Sequence, residues 1–243
     1  METYEKLFKS DDSFSHVGEK LLSAAPHEHK KIISCIIDVY DSRIIRAYCK
    51  SRFTIININI LDILSLCLHG KNRILEVGCG FGLFGCYFAA LNPEVQYVGY
   101  DLNPGRVEMA NLAATRLGLE NATFHCADAR ELSVAEQFDA VMLVDLMHHV
   151  DDETKKRLVT MAAEQLTPDG RLIIKDVTTH PSFKIGFTWA LDVLMTRGFD
   201  MHYWNERQFH GLVQRYFKAI KTYPIVDWLP YPHIVYFCES PLR

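Results

Sequence analysis

Three glycines at alternating positions form the part of the chain best suited to hold a ligand. Gly78, Gly80 and Gly82 directly follow a short, mostly apolar run at residues 74–77, and a helical pattern begins near Gly82. Glycine adopts positive φ without strain, and the first N–H groups of a helix point back toward such a turn. The spacing predicts a strand that ends in a turn able to hold a phosphate or a nucleoside. Close packing of strand and helix could also require these glycines with no ligand present.

Two carboxylates accompany the turn. Glu76 lies at the end of the strand, where a charged group is costly to bury unless another group donates to it. Asp101 ends the next strand-like run, roughly 20 residues further on, where an acidic side chain of a βαβ unit accepts hydrogen bonds from ribose hydroxyls. The third glycine falls at 82 and Leu83 follows, so the nicotinamide pattern G-x-G-x-x-G is not matched. The glycine turn together with its two carboxylates predicts a cofactor that carries a ribose.

Five segments in order resemble the motifs of class I S-adenosylmethionine-dependent methyltransferases. They are Glu76-Val-Gly-Cys-Gly-Phe-Gly82, Asp101, Thr123-Phe-His-Cys-Ala-Asp128-Ala129, the stretch 138–150 and the stretch 166–176, which together span about residues 72–179. The resemblance implies S-adenosyl-L-methionine as the cofactor. It implies a cofactor-binding set of Glu76, Gly78, Cys79, Gly80, Gly82, Asp101, Leu102, Asp128, Ala129 and Asp145. For Asp145, capping of the following helix is an alternative role.

The remaining pattern predicts an α/β fold with a Rossmann-like core. From residue 71 strands alternate with helices, which is typical of a parallel sheet with crossover helices. We expect strands near 73–78, 96–101, 122–127, 138–144 and 171–177, and helices near 83–91, 104–117 and 151–166. The resemblance adds a helix near 206–217 and an antiparallel hairpin at 219–226 and 233–238. The sheet is then seven-stranded and mostly parallel, with an antiparallel last strand.

Composition limits the partners and the compartment. The 243 residues are 49% hydrophobic and carry a net charge of −4, which disfavours a nucleic-acid partner held through its phosphates. The seven cysteines include no C-x-x-C pair, so we expect no metal and reduced thiols. No apolar run approaches the roughly 18 residues of a membrane span, and the first residues are too polar for a signal peptide. We therefore expect a cytoplasmic protein.

Residues 1–70 and 71–243 are predicted to be an N-terminal helical cap and a methyltransferase domain. Apolar residues recur at helical spacing through the cap. In related methyltransferases such a segment folds over the cofactor and substrate, which makes Tyr40, Tyr48 and Arg52 candidates for substrate binding. The alternative is that both tyrosines pack in the core and that Arg52 is a solvated cation.

A segment at residues 180–205 is predicted to be an insertion on the substrate side, because ligands bind beyond the carboxyl ends of the strands. Its aromatic and apolar residues predict a wall for the acceptor. The substrate-binding candidates from this segment and the last hairpin are His180, Phe183, Phe187, His202, Tyr203 and His233. The segment could instead pack on the cap, form a homodimer interface or make weak peripheral contact with lipid. Monomer and homodimer both remain open.

Methyl transfer from a sulfonium is an in-line displacement, which requires positioning rather than a covalent protein intermediate. A hydroxyl acceptor would need a base, and His148 and His149 follow the fourth strand at the catalytic edge. The fourth motif lacks the Asn/Asp-Pro-Pro-Tyr/Phe pattern that resembles enzymes methylating amino nitrogens of bases or glutamine. We expect O-methylation of a small or lipid-like, apolar or aromatic acceptor. Alternatives are C- or N-methylation, an NAD(P)-binding oxidoreductase, and a non-catalytic scaffold with the same fold.

Overall fold

The computed structural model describes residues 26–128, 137–179, 201–225 and 231–242. Its centre is one seven-stranded sheet with the strand order β3-β2-β1-β4-β5-β7-β6. The strands are β1 (Arg73–Val77), β2 (Gln96–Asp101), β3 (Ala122–Cys126), β4 (Phe138–Val144), β5 (Leu166–Val177), β6 (Phe217–Pro224) and β7 (His233–Pro241). Strands β1 to β5 pair in parallel, and β7 runs antiparallel to both β5 and β6. The predicted fold class is confirmed.

Seven α-helices lie on the two faces of the sheet in the described part of the chain, and a short 3-10 helix (Met147–His149) follows β4. The α-helices are α1 (Pro26–Asp38), α2 (Arg43–Ile55), α3 (Ile58–Cys67), α4 (Leu83–Leu91), α5 (Pro104–Leu117), α6 (Asp152–Gln165) and α7 (Glu206–Val213). Side chains that alternate along each strand enter two separate cores: Ile74 and Met142 pack with α1 to α5, whereas Leu75 and Leu143 pack with α6 and α7. The near-continuous apolar strands are the expected sequence of a sheet buried on both faces.

Local sequence explains where several helices begin and end. Asn103 caps α5 through its side chain, Pro104 occupies the first turn, and Gly118 ends the helix at φ +67°. The side chain of Asp151 accepts a hydrogen bond from the N–H of Thr154 and so caps α6. Among the described helices, none has the length and apolar character needed to cross a bilayer.

Strand β5 begins earlier than the sequence predicts. Leu166 pairs with Phe138, and the register then shifts so that Arg171 pairs with Ala140. The irregular stretch between them includes Pro168 and Gly170, which the sequence pattern presents as a turn before the strand. Beyond it, the parallel register continues to the pair Val144 and Lys175, so the carboxyl ends of β4 and β5 meet at one edge.

Candidate functional site

The glycine turn, residues 78–82, lies between β1 and α4 and takes three left-handed backbone conformations. The φ angles of Gly78, Gly80 and Gly82 are +82°, +55° and +75°. A Cβ on Gly82 would lie 2.8 Å from Cβ of Ala110 and 2.9 Å from the ring of Phe124, whereas a Cβ on Gly80 would meet no atom of the described residues within 4 Å. Gly82 therefore serves packing, and Gly80 presents bare backbone to open space. The packing explanation therefore applies at Gly82, whereas the backbone at Gly80 leaves room for a ligand.

Asp101 joins the glycine turn to the end of β2. Its carboxylate accepts hydrogen bonds from the N–H of Gly80 at 2.8 Å and from the N–H of Asn103 at 2.9 Å. An ionised carboxylate offers about four lone-pair sites, so these two bonds leave acceptor capacity on both oxygens. The backbone contacts hold the carboxylate in place at the cavity wall, where it can accept further hydrogen bonds.

Glu76 lies beneath the turn rather than in the cavity. Its side chain is buried and accepts a hydrogen bond of 3.0 Å from the hydroxyl of Tyr97. Burial raises the pKa of Glu76 to about 7, and the nearby charge of Asp101 acts in the same direction. Neither Glu76 nor Gly82 lines the cavity, so these two members of the predicted cofactor-binding set shape the turn instead of facing a ligand.

A cavity of about 720 Å³ opens at the carboxyl edge of the sheet, within the range of small-molecule sites. Seven members of the predicted cofactor-binding set line it: Gly78, Cys79, Gly80, Asp101, Leu102, Asp128 and Asp145. Leu102 is 66% exposed, which leaves an apolar surface next to the Asp101 carboxylate. Ala129 lies outside the described residues. Phe81, Tyr100 and Arg106 also line the cavity and were not predicted.

The charged cluster, defined as Arg52, Asp145 and Lys175, lies at the ends of α2, β4 and β5. The carboxylate of Asp145 accepts a hydrogen bond of 2.8 Å from Arg52 and another from Nζ of Lys175. Burial acts to raise the pKa of Asp145, but the two cations outweigh it and hold that pKa well below its usual range. Lys175 is fully buried, and desolvation lowers its pKa although Asp145 opposes the shift.

Asp145 does not cap the following helix, since Asp151 caps α6. Its own φ is +50°, a left-handed conformation that aspartate tolerates better than most residues. Its N–H donates to the carbonyl of Lys175 at 2.8 Å, which ties the end of β4 to β5. The cluster thus links the N-terminal helical layer to the sheet.

The dyad, defined as His148 and Asp176, lies at the same edge of the sheet, and Asp176 directly follows Lys175 in β5. Nδ1 of His148 is 2.5 Å from Oδ1 of Asp176, and both side chains are buried. The backbone N–H of Met147 donates to Oδ2 of Asp176 at 2.9 Å and fixes the carboxylate. His148 also lines the cavity, so its ring connects a buried anion with the space where a ligand would bind.

His149 lines the cavity as well, but its surroundings differ from those of His148. Its ring centroid is 4.0 Å from that of His148. Burial and the neighbouring His148 lower the pKa of His149 to about 4. The two predicted catalytic histidines are therefore together at the cavity and chemically unlike.

The substrate candidates divide between the cavity and the core. Tyr48, Arg52 and His233 line the cavity. Tyr40 is buried away from it and donates a hydrogen bond of 2.7 Å to the carbonyl of Phe81, so it supports the glycine turn. The structure therefore places Tyr40 in the packing role that was the alternative.

Only the end of the predicted insertion is described. The ring of Tyr203 stacks on that of His148 with centroids 5.6 Å apart, and the N–H of His202 donates to the carbonyl of His148 at 2.8 Å. Neither side chain lines the cavity, although the neighbouring Met201 does. His180, Phe183 and Phe187 lie outside the described residues.

Lys175 and Asp176 are two charged residues of the site that sequence reasoning also missed. Both are charged and both end a strand whose preceding residues are apolar, and this was a usable signal because buried charges need partners. Tyr231 and Val177, which line the cavity beside His233, carried no comparable signal.

Residues 74–170 match the protein family described as "Methyltransferase domain". One curated relative is a 27-O-demethylrifamycin SV methyltransferase of Amycolatopsis mediterranei, 33% identical over 117 residues, which are 47% of this chain and 42% of the relative. Another is a ubiquinone biosynthesis O-methyltransferase of Dinoroseobacter shibae, 31% identical over 135 residues, which are 55% of this chain and 53% of the relative. The chain thus spans about half the length of the curated relatives it matches.

Among solved structures, the fold resembles that of the S-adenosylmethionine-dependent methyltransferase SibL in its apo form. The TM-score is 0.64 at 19% sequence identity, covering 85% of this chain and 61% of SibL. At this identity the likeness shows the fold alone.

Proposed function

We propose that this chain, whose residues 74–170 match the family described as "Methyltransferase domain", is a class I S-adenosylmethionine-dependent methyltransferase that transfers a methyl group to a small-molecule acceptor. The observation that carries the proposal is the glycine turn with Asp101 at the wall of the cavity. When bound, the cofactor supplies an electrophilic methyl group on a positively charged sulfur. The chain supplies binding, orientation and exclusion of water.

The cavity residues fit this cofactor. The open space over Gly80 admits a ligand against the backbone, and the Asp101 carboxylate retains acceptor capacity for ribose hydroxyls. Leu102 offers an exposed apolar surface beside it, as an adenine ring requires. Arg52 reaches the cavity from α2 and is the cation we assign to the carboxylate of the cofactor.

We further propose that the acceptor is an apolar or aromatic molecule and that the methyl group goes to an oxygen. The lining of the cavity includes the apolar and aromatic side chains of Ile55, Phe84, Val177 and Tyr231, which suits an apolar body. An imidazole, His148, lies at the cavity and can accept the proton of a hydroxyl. The names of both relatives refer to an oxygen of their own substrates, which supports the same assignment.

Calorimetry tests the cofactor assignment directly. We expect S-adenosylhomocysteine to bind the wild-type protein, NADH and NADPH to show no comparable affinity, and Asp101→Ala to weaken binding by about 1.5–3 kcal/mol. Tight binding of a dinucleotide with none of S-adenosylhomocysteine would overturn the proposal. Unchanged affinity in Asp101→Ala would remove Asp101 from the ribose role.

The oxygen assignment needs a separate measurement. Incubation with isotopically methyl-labelled S-adenosylmethionine and a panel of phenols, followed by NMR of the labelled product, distinguishes an O-methyl from an N-methyl or C-methyl carbon. Labelled product with the methyl group on nitrogen or carbon only would contradict O-methylation while leaving the cofactor assignment intact.

A further inference from the structure

Lys155 is a charged side chain that lies completely buried near the start of α6. Its side chain is 0% exposed, whereas those of the next two residues, Lys156 and Arg157, are more than half exposed. A buried ammonium group is costly unless it is paired and hydrogen-bonded. The proposed methyl transfer makes no use of this lysine, so its partners are the guide to what its burial achieves.

The partners of the Lys155 ammonium group join α6 to one short segment, residues 202–204. Nζ donates to the carbonyl of His202 at 2.7 Å and lies 4.9 Å from the centroid of the Trp204 ring. It also donates to Oδ1 of Asp152 at 3.2 Å, and that oxygen accepts from Nε1 of Trp204 at 2.7 Å. A desolvated cation over an indole face adds to these hydrogen bonds. The lysine clamp, defined as Lys155, Asp152 and Trp204, thus fixes the segment to the helix.

The backbone on both sides of His202 is held. Its N–H, which belongs to the peptide bond with Met201, donates to the carbonyl of His148 at 2.8 Å. Its carbonyl is the group that Lys155 binds. Further along the chain, the side chain of Asn205 caps α7 in a capping box. Because both peptide groups of His202 are bonded to fixed elements, the position of Met201 next to them is defined as well.

Met201 connects the lysine clamp to the cavity. It lines the cavity, and so do Thr154 and Leu158 of α6. Lys155 lies between these two in the sequence but bonds to the segment 202–204 instead. α6 therefore contributes to the cavity in two ways: it supplies lining residues directly, and it holds another one through the clamp. A methionine side chain is apolar and adaptable, which suits contact with an apolar acceptor.

We infer that Lys155 is a positioning residue that holds Met201 at the cavity wall, and that Met201 limits the bulk of the acceptor that the cavity admits. The inference rests on the proposed methyl transfer and adds to it a determinant of acceptor size. Lys155 itself does not line the cavity, so its effect on an acceptor passes through Met201.

The first test measures the surroundings of Met201 without turnover. The protein is labelled with ¹³C-methyl methionine and bound to S-adenosylhomocysteine, and the Met201 signal is assigned by its absence in Met201→Ala. We expect Lys155→Leu to shift or broaden this signal, because the segment that carries Met201 loses its anchor. An unchanged Met201 signal in Lys155→Leu would overturn the inference.

Lys156→Leu is the matched control. This lysine is the next residue of the same helix, is exposed and lies 3.8 Å from Glu153. Its replacement removes the same charge from α6 but no contact with the segment 202–204, so we expect the Met201 signal to remain as in wild type. Equal changes in the two lysine variants would attribute the effect to the charge of the helix and contradict the role of the clamp.

The second test compares catechol with 4-tert-butylcatechol, which carry the same reacting hydroxyls and differ in bulk. At saturating S-adenosylmethionine the measured quantity is the ratio of kcat/KM for the two acceptors, because a variant's folding yield cancels in this ratio. We expect Met201→Ala to shift the ratio roughly 10-fold or more toward the bulkier acceptor, and Lys155→Leu to shift it less in the same direction. An unshifted ratio in either variant, or no turnover of either catechol by the wild-type protein, would refute the inference.

The double variant Lys155→Leu with Met201→Ala tests whether the lysine acts through the methionine. If it does, the double variant has the acceptor ratio of Met201→Ala, because the anchor then has no side chain left to position. If the two shifts add in full, the residues act independently and the positioning role is wrong.

Failure of this inference can be separated from failure of the proposed function. Affinity for S-adenosylhomocysteine is measured in every variant, and we expect it to stay within roughly threefold of wild type, since neither Lys155 nor Met201 is assigned to the cofactor. If Lys155→Leu does not fold, Trp204→Phe replaces it, because it keeps an aromatic ring but loses the hydrogen bond to Asp152. An unmoved Met201 signal in that variant would equally overturn the inference. Loss of S-adenosylhomocysteine binding by the wild-type protein would instead refute the proposed function.

Discussion

The two sides of the cavity are built by different means. On one side, the glycine turn is a single local segment whose backbone conformation makes the surface, with one carboxylate, Asp101, bonded to it. On the other side, the charged cluster and the dyad are side chains from α2, the β4–α6 connection and β5 that meet only in the folded chain. A surface made of backbone suits a cofactor shared by many enzymes, whereas a surface made of side chains can change with the acceptor.

The largest effect is expected from breaking the charged cluster. In Asp145→Asn the asparagine tolerates the left-handed backbone conformation as aspartate does, but the fully buried Lys175 loses its countercharge. An uncompensated buried charge costs about 3–5 kcal/mol, so we expect the free energy of unfolding in urea to fall by that amount.

The double variant Asp145→Asn with Lys175→Met is the matched control. It removes the buried cation together with its partner, and we expect it to recover most of the lost stability. If the double variant is as unstable as the single one, then side-chain packing, and not charge pairing, accounts for the stability that the charged cluster contributes.

On the glycine side, the expected effect depends on pH. The pKa of Glu76 is raised to about 7 from 4.5, so the folded protein binds this proton more tightly than the unfolded chain does. Its contribution to stability is therefore present at low pH and is lost as the pH rises from about 4.5 to about 7, by roughly 3 kcal/mol. Glu76→Gln keeps an acceptor for Tyr97 and should abolish this decline in unfolding experiments across the same pH range.

Tyr97→Phe provides the control for that experiment. It removes the hydrogen bond that favours the ionised form of Glu76, so we expect the decline to become larger and to extend to higher pH. An identical pH dependence in wild type and Glu76→Gln would mean that Glu76 does not titrate in this range.

A smaller effect should separate two glycines of the same turn. In Gly82→Ala two costs add: the new Cβ crowds Ala110 and Phe124, and the residue must keep a positive φ. We therefore expect about 2–3 kcal/mol of destabilisation. In Gly80→Ala only the φ penalty applies to stability, about 1–2 kcal/mol, but the methyl group projects into open space where the cofactor is proposed to bind.

Gly80→Ala should therefore weaken S-adenosylhomocysteine binding more than its loss of stability suggests. Gly82→Ala should weaken binding less than its loss of stability suggests. Thermal unfolding with and without the ligand measures both quantities. The reverse order would mean that the turn holds the cofactor through Gly82.

Regular elements and the turn could be predicted because their signals are local. Strands β2 and β4 and helices α4 and α5 begin and end where the pattern of apolar residues, Pro104 and Gly118 indicates. The positive φ angles at residues 78, 80 and 82 follow from glycine at each position. The early start of β5 could not be predicted, since Pro168 and Gly170 normally indicate a turn.

The sequence alone therefore determined most strands, their flanking helices and the glycine turn, since each depends on residues close together in the chain. Only the tertiary structure decided which charges meet: Arg52 and Asp145 are 93 positions apart, and His148 and Asp176 are 28 positions apart. It also distinguished His148 from His149, which are adjacent and identical in type. Burial and an opposing charge are properties of the folded surroundings, and they decide what an ionisable side chain can do.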